Sequence, residues 1–228
     1  MKKLAILVGA LVLTGSTFAQ RPVDANPFSL EGGLSFNAGN TFSAPSLRLR
    51  YFAADNIAAR LGIQYNSTSE TINHYGIGAD FLPTADSLGT EVNKTSMTWL
   101  SIGGSYHFSQ LDRLSPYVAL DVMIGMGSTN ATWTDFNGTN YSKGVSAEVN
   151  SKTSGLGLNL AAGFDYYFAE NVFIGAELGF MYMSMSDKGG DATVTSGNTT
   201  TTVTTLPSGK NSSFGNAAQG TIRLGWRF

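Results

Sequence analysis

The stretch Thr221-Ile-Arg-Leu-Gly-Trp-Arg-Phe228 decides the fold. Ile222, Leu224, Trp226 and Phe228 lie on one face of an extended chain, and Thr221, Arg223, Gly225 and Arg227 lie on the other. Period-two alternation is the mark of a strand whose two faces meet unlike surroundings. A strand at the end of a sheet leaves a row of unpaired N–H and C=O groups, and pairing it with the first strand removes that edge. A soluble chain seldom ends on an amphipathic strand with an exposed Phe as its last side chain.

Working outward, the same pattern recurs in segments of about ten residues, the length a tilted strand needs to cross a bilayer. The first runs Phe28 to Ala38, with Phe28, Leu30, Leu34 and Phe36 on one face. The second spans about Ser43 to Phe52, the third Ile57 to Asn66, and the fourth about Thr95 to Phe108. The fifth is Tyr117 to Gly127, the sixth about Ser154 to Phe168, and the seventh Val172 to Met183. The terminal strand, from about Phe214, is the eighth. Connections alternate between short ones (Ala53 to Asn56, Ser109 to Ser115, Ala169 to Asn171) and long ones (67–94, 128–153 and 184–213), with one further short connection near Gly39 to Phe42. Short turns at one end and long loops at the other are the asymmetry of a transmembrane β-barrel, which predicts termini and turns in the periplasm and loops outside. The expected fold is all-β: an eight-stranded antiparallel up-and-down transmembrane barrel over residues 28–228.

The charges sharpen this. Glu31, Arg48, Arg50, Arg60, Asp121, Asp165, Glu177, Arg223 and Arg227 all fall on the face opposite the apolar one. Random phasing would do this about once in 500 trials. A soluble barrel would be apolar inside; the inverted order suits a lipid solvent. An eight-stranded barrel is just wide enough for side chains to fill. The nine charges therefore read as a lumen ion network that plugs the barrel, with a gated ion path as the alternative. Arg223 is expected beside Glu177 and Glu31, and Glu31 opposite Arg48 or Arg50. Asp121 and Asp165 either share a proton or reach Arg60. Farther along the lumen, Met97, Trp99, Met123, Met181 and Met183 point inward by the same phase, either lining a pocket for an apolar ligand or filling space. Aromatics collect at strand ends: Tyr51, Tyr106, Phe108, Tyr166, Phe168, Trp226 and Phe228 at one edge, Phe36, Tyr65, Tyr182 and Phe214 at the other, as interface girdles.

At the other end of the chain, Met1-Lys-Lys3, an apolar run from Leu4 to Val12 and Thr17-Phe-Ala19 predict a signal peptide over residues 1–19, cleaved after Ala19, with 20–27 as a lead-in. The apolar run is too short to span a bilayer as a helix. Without the leader, 12 basic residues face 16 acidic ones, a charge of −4, which does not suggest nucleic acid. The chain has no Cys, which excludes disulfides, thiolate chemistry and lipid attachment through cysteine.

Gly155-Leu-Gly157 lacks the third glycine and the helix of a dinucleotide fingerprint. His74, with Ser69, Glu70 and Asp80 as local company, and His107, near a short turn, have neither metal-ligand spacing nor a catalytic constellation at the outer rim. No enzyme, metal or cofactor is expected. The loop 184–213 holds the low-complexity run Thr199 to Thr205, a solvated or β-extended hairpin. Trp133, Phe136 and Tyr141 are loop aromatics that contact a partner or pack on one another.

The terminal Gly225-Trp-Arg-Phe228, the turn segments Tyr51-Phe-Ala-Ala-Asp-Asn-Ile57 and Tyr167-Phe-Ala-Glu-Asn-Val172, and the lumen Glu/Arg set resemble the small outer-membrane barrels of the OmpA-barrel and OmpX-like superfamily. The resemblance covers essentially the whole mature chain but not the peptidoglycan-binding domain of full OmpA proteins. It implies an integral outer-membrane protein surrounded by lipid and lipopolysaccharide, inserted by machinery that reads the C-terminal Phe228. It further implies a role in adhesion or envelope integrity, carried by an unknown extracellular partner of the loops. The alternatives are a narrow channel or carrier for small apolar compounds, in the style of OmpW-like barrels, and a lipid-modifying barrel enzyme.

Overall fold

A computed structural model describes residues 27–37, 43–77, 83–108, 113–136, 141–204 and 208–228. The signal-peptide assignment, all of the lead-in but Pro27, most of the expected short connection Ser109 to Ser115 (109–112), residues 38–42, 78–82 and 137–140, and Thr205 with 206–207 lie outside the described residues. The strands are β1 (Phe28–Asn37), β2 (Ser43–Ala54), β3 (Ile57–Ile77), β4 (Pro83–His107), β5 (Leu114–Phe136), β6 (Tyr141–Ala169), β7 (Val172–Ser196), β8 (Thr199–Thr204) and β9 (Gly209–Arg227).

Each strand pairs antiparallel with its neighbour from β1 to β7, β9 pairs with both β7 and β1, and the eight close into a ring. The seam is tight: the Phe28 amide donates to the Phe228 carbonyl at 3.0 Å, and the Phe228 amide donates to the Phe28 carbonyl at 2.8 Å. Closure leaves this end of the sheet with no free edge. The ninth strand, β8, stands outside the ring and pairs only with the far half of β7, from Asp191↔Thr204 to Ser196↔Thr199. At the end bearing the seam the turns are short; in Glu170-Asn171, Asn171 takes φ 63°, a left-handed conformation Asn tolerates.

Burial inverts the pattern of a soluble protein. Ile102 is 63% exposed on the outer wall, whereas Glu31 is 1% exposed inside. Leu, Ile, Val and Phe side chains cover the outside, and the lumen holds charge and hydroxyls. Tyr51, Tyr106, Phe108, Phe168, Trp226 and Phe228 are exposed at the seam end, with Tyr166 half-buried, and Tyr65 and Tyr182 are exposed at the opposite edge of the apolar band. The side chains of Phe36 and Phe214 lie outside the described residues.

The three long loops of the sequence reading are corrected: they are mostly strand. β3 runs on to Ile77, β4 starts at Pro83, and β5 and β6 pair without a break to Trp133↔Ala147. β6 has 29 residues, far more than the roughly 10 needed to cross a bilayer. Facing reverses where the bilayer would end. The outward row of β5 reads Val118, Leu120, Val122, Ile124, Met126, then Ser128, Asn130 and Thr132. On the inward row, Ala131 and its neighbour Ala147 across from Trp133 are buried. Outside lipid, water takes the convex face, and small apolar residues turn inward. The result is a tall curved sheet, β3 to β8, rising from one end of the ring. The β1–β2 hairpin stays low: β2 meets β3 only as far as Ser46↔Gln64, so among the described residues β3 beyond Tyr65 is paired on its β4 side alone.

Candidate functional site

Strand phase places Glu31 on β1, Arg48 and Arg50 on β2, Arg60 on β3, Asp121 on β5, Asp165 on β6, Glu177 on β7, and Arg223 and Arg227 on β9, all facing the lumen. All but Arg48 are buried, and Arg48 keeps its side chain 18% exposed at the top of the cluster. Four arginines meet four carboxylates. Arg48 spans the lumen and donates from both terminal nitrogens to Glu177, at 2.8 and 3.0 Å. Arg60 donates to Glu177 at 3.0 Å and pairs with Asp121 at 3.2 Å. Arg50 reaches Asp165 at 2.7 Å and also Glu31. Arg223 holds Glu31 and reaches Asp165 at 2.9 Å. Each carboxylate touches at least one guanidinium, so none of the four is buried alone.

One expectation changes, and one open alternative closes on Arg60. Arg223 pairs with Glu31 and Asp165 rather than with Glu177; the Tyr117 hydroxyl stands between them, accepting from Arg223 and donating to Glu177 at 2.6 Å. Asp121 and Asp165 share nothing: Asp121 takes Arg60 and accepts from Asn159 at 3.2 Å, whereas Asp165 takes Arg50 and Arg223. Their register explains it, since Asp121 faces Asn159 and Asp165 faces Ser115, at different heights of the barrel.

The sequence reading missed the aromatic bed under these charges. Phe52, Tyr117, Tyr167 and Phe173 are buried in the lumen. Arg50 lies 5.1 Å from the Phe173 ring and 5.3 Å from Phe52, Arg223 lies 5.4 Å from Tyr117, and Arg227 sits 4.0 Å over Phe52. Guanidinium planes on ring faces gain electrostatic attraction where water is scarce. The signal was present, because each ring shares strand phase with a lumen charge: Phe52 with Arg50, Tyr117 with Asp121, Tyr167 with Asp165 and Phe173 with Glu177. Aromatics at strand ends ordinarily mark the lipid interface, and only the phase of these four separates them from the girdle. Gly225 makes room for the bed, since a Cβ there would run into the Phe173 ring. His107 is buried beside it, 2.7 Å from Ser115 Oγ and 3.3 Å from Ser105 Oγ. The His–Ser contact lies at the turn end of the barrel, beneath the charged tier.

Above the charges is a cavity of about 50 Å³, room for a few water molecules, walled by Ser35, Ser101, Thr221 and Gln64. Trp99, Met123 and Met181 border it together with Arg48, Asp121 and Glu177. Trp99 lies flat on the glycines of β5 and β6: a Cβ on Gly155 would sit 2.5 Å from its ring, and one on Gly125 2.7 Å. Met97 packs over Gly125 and Gly127, and Met183 lies near Gly157. Beyond this tier the lumen widens into an open cup of about 510 Å³ edged by Thr95, Thr129, Ser151, Thr153, Met185 and Asp187.

At the tip of the tall sheet, Glu91 Oε1 accepts from Asn93 at 2.7 Å and Oε2 lies 3.2 Å from His74 Nε2. The Asn93 hydrogen bond above all, with help from His74 and Trp133, holds the Glu91 carboxyl below its ordinary value. His74 stacks at 4.7 Å on Tyr141, which packs on Phe136 at 5.1 Å, and Phe136 on Trp133 at 6.0 Å. The partners of His74 are therefore Glu91 and Tyr141 across the strands, not only its sequence neighbours. The three loop aromatics pack on one another.

A family profile of the OmpA-OmpF-like porins matches residues 34–190. Among solved structures, a major outer membrane protein of Thermus thermophilus is 17% identical, with a TM-score of 0.44 over 90% of this chain and 100% of that one. The N-terminal β-barrel domain of Pseudomonas aeruginosa OprF is 16% identical, with a TM-score of 0.40 over 92% and 99%. Ail, the attachment invasion locus protein of Yersinia pestis, is 13% identical, with a TM-score of 0.36 over 88% and 95%. No curated protein matches at a significant level.

Proposed function

The chain belongs to the OmpA-OmpF-like porin family and is an integral outer-membrane β-barrel, and on that premise we propose that it is a closed, non-enzymatic surface barrel rather than a diffusion pore. The short turns and termini face the periplasm, and the tall sheet stands outside the cell, where it meets an extracellular partner in adhesion or supports envelope integrity. The single observation that carries this reading is the tier of four arginines, four carboxylates and Tyr117 stretched across the lumen, with Arg48 on β2 gripping Glu177 on the opposite wall at 2.8 Å. Side chains filling a narrow barrel leave no continuous water path. Planar-bilayer recording of the refolded protein tests it: the expected trace is flat, and discrete openings at moderate voltage overturn the closed reading. Deleting the tall sheet beyond the apolar band, while keeping the ring, should abolish surface binding and leave folding intact.

A second reading, a carrier for small apolar compounds, rests on Trp99, Met123 and Met181, which border the cavity above the charged tier. Saturable quenching of tryptophan emission by an apolar probe, lost in Trp99→Ala, is its expected signature. A lipid-modifying activity predicts different lipid A mass spectra from expressing and non-expressing cells; identical spectra remove it. Insertion by machinery that reads Phe228 belongs to the same proposal.

A further inference from the structure

The two walls of the tall sheet use their polar side chains differently. On the convex wall they serve one another. Ser96 and Ser128 share a hydrogen bond at 3.1 Å between β4 and β5, and Asn130 on β5 donates to Glu148 at 2.8 Å and to Asn150 on β6. Higher up, Thr193 meets Thr202 at 3.5 Å and Thr195 meets Thr200 at 3.3 Å. One residue away, on the concave wall, the hydroxyls do not pair. Register sets Thr95 opposite Thr129 and Thr129 opposite Ser151, so three strands bring their hydroxyls to one level. All three line the cup of about 510 Å³. None of them makes a side-chain hydrogen bond among the described residues. A hydroxyl carries one donor and two acceptor positions, and here all of them are open toward the cup.

Two charges complete the lining. Asp187 on β7 faces Thr153 on β6 and accepts its hydroxyl at one carboxylate oxygen, so the other oxygen is open. Lys210 on β9 follows Gly209, the register partner of Asp187, and also lines the cup. It makes no ion pair among the described residues. Acid and base balance, one against one. The apolar part is modest: Met185 in the wall, Met97 packed over Gly127 below Thr129, and Ala131 with its cross-strand neighbour Val149 above it.

This lining selects a class of ligand. An apolar molecule would take the hydroxyls out of water with nothing to bond. An anion would meet Asp187, and a cation would meet Lys210. A neutral sugar suits every part. Each of its hydroxyls both donates and accepts, a carboxylate and an ammonium bond them with charge assistance, and its C–H faces rest on thioether and methyl groups. The volume lies within the range of about 300–1,000 Å³ usual for small-ligand sites.

We propose that the cup is a binding site for a neutral oligosaccharide, held by Thr95, Thr129, Ser151, Asp187 and Lys210. This rests on the outward orientation of the tall sheet proposed above, and it gives the extracellular partner a chemistry, an uncharged glycan.

The full chain is refolded in a zwitterionic detergent without a sugar headgroup, since a glucoside or maltoside would compete for the cup. It is applied to an immobilised array of neutral, sialylated and sulfated oligosaccharides. The strongest binding is expected on neutral glycans, and the best of them is then titrated in free form by calorimetry. D187N and T95V/T129V should each weaken that binding about tenfold, whereas E148Q on the convex wall should leave it unchanged. Absence of binding to every neutral glycan overturns the proposal. So does stronger binding to sialylated or sulfated glycans, or an affinity that D187N and T95V/T129V both leave intact. Heat-modifiable migration of each variant reports the barrel itself. Labelling of Lys143 at the tip by a membrane-impermeant amine reagent on intact cells, located by peptide mass spectrometry, reports the orientation. Sugar binding in micelles with Lys143 unlabelled on cells would overturn the orientation alone; labelled Lys143 without sugar binding would overturn the cup alone.

Discussion

Phe28 and Phe228 exchange both backbone hydrogen bonds across the seam of the barrel, at 3.0 and 2.8 Å, with their rings stacked 6.2 Å apart. The backbone bonds close the ring and do not depend on side chains. The rings add an exposed aromatic contact that also includes Trp226, at 5.2 Å from Phe228. Phe228→Ala should therefore cost only about 1 kcal/mol in urea unfolding from detergent micelles. If Phe228 is also read during insertion, the level of this variant in outer membranes should fall much further than its stability does. Immunoblotting of membrane fractions beside the unfolding curves separates the two effects.

Glu177 accepts from Arg48, Arg60 and Tyr117. Glu177→Gln leaves the half-buried Arg48 and the buried Arg60 sharing one fewer carboxylate and should destabilise the barrel by about 3 kcal/mol. The double variant Arg48→Met/Glu177→Met should recover a good part of that loss, because it removes both charges together. A double-mutant cycle in urea measures the coupling, and purely additive losses would mean that the pair is not coupled.

Trp99 rests on Gly125 and Gly155 above the charged tier. Trp99→Ala should cost about 3 kcal/mol through the space it vacates, yet leave the bilayer trace flat, because the ion network below is intact. Gly155→Val should cost about 1–3 kcal/mol, since the ring must move off a glycine whose Cβ position lies 2.5 Å away. Openings in Trp99→Ala would assign the barrier to the aromatic tier and not to the charges.

The tip cluster carries a pH dependence. Glu91 has a lowered folded-state pKa, so its contribution to stability is complete above its ordinary value of 4.5 and is lost as pH falls through the lower folded value. Protection of the amides at the tips of β3 and β4, relative to their intrinsic exchange, should fall more between about pH 5 and pH 3 in the wild type than in Glu91→Gln. Exchange deep in the barrel should not follow that difference.

Facing was legible because it is local. Alternation along a single strand tells which side each residue takes, and the nine charges found this way all lie in the lumen. The outer-membrane class was legible for the same reason, since apolar and charged faces were exchanged relative to a soluble barrel. Strand length was not. Thr, Ser and Asn in 67–94, 128–153 and 184–213 look like loop composition, yet hairpin pairing to Trp133↔Ala147 and Ser196↔Thr199 keeps the described ones extended. The apolar signal there is a few small residues such as Ala131 and Ala147, too weak to read without their neighbours in place.

The sequence by itself determined that this chain is a lipid-facing barrel of eight strands with charge inside, because the bilayer imposes period two on every crossing strand. Only the tertiary structure decided who meets whom across the lumen. Arg48 and Glu177 are 129 residues apart, and their contact depends on shear and closure, not on either strand's own pattern. The same is true of the tall sheet and of the bulge between β6 and β7. Register between strands sets them, and register is a property of pairs.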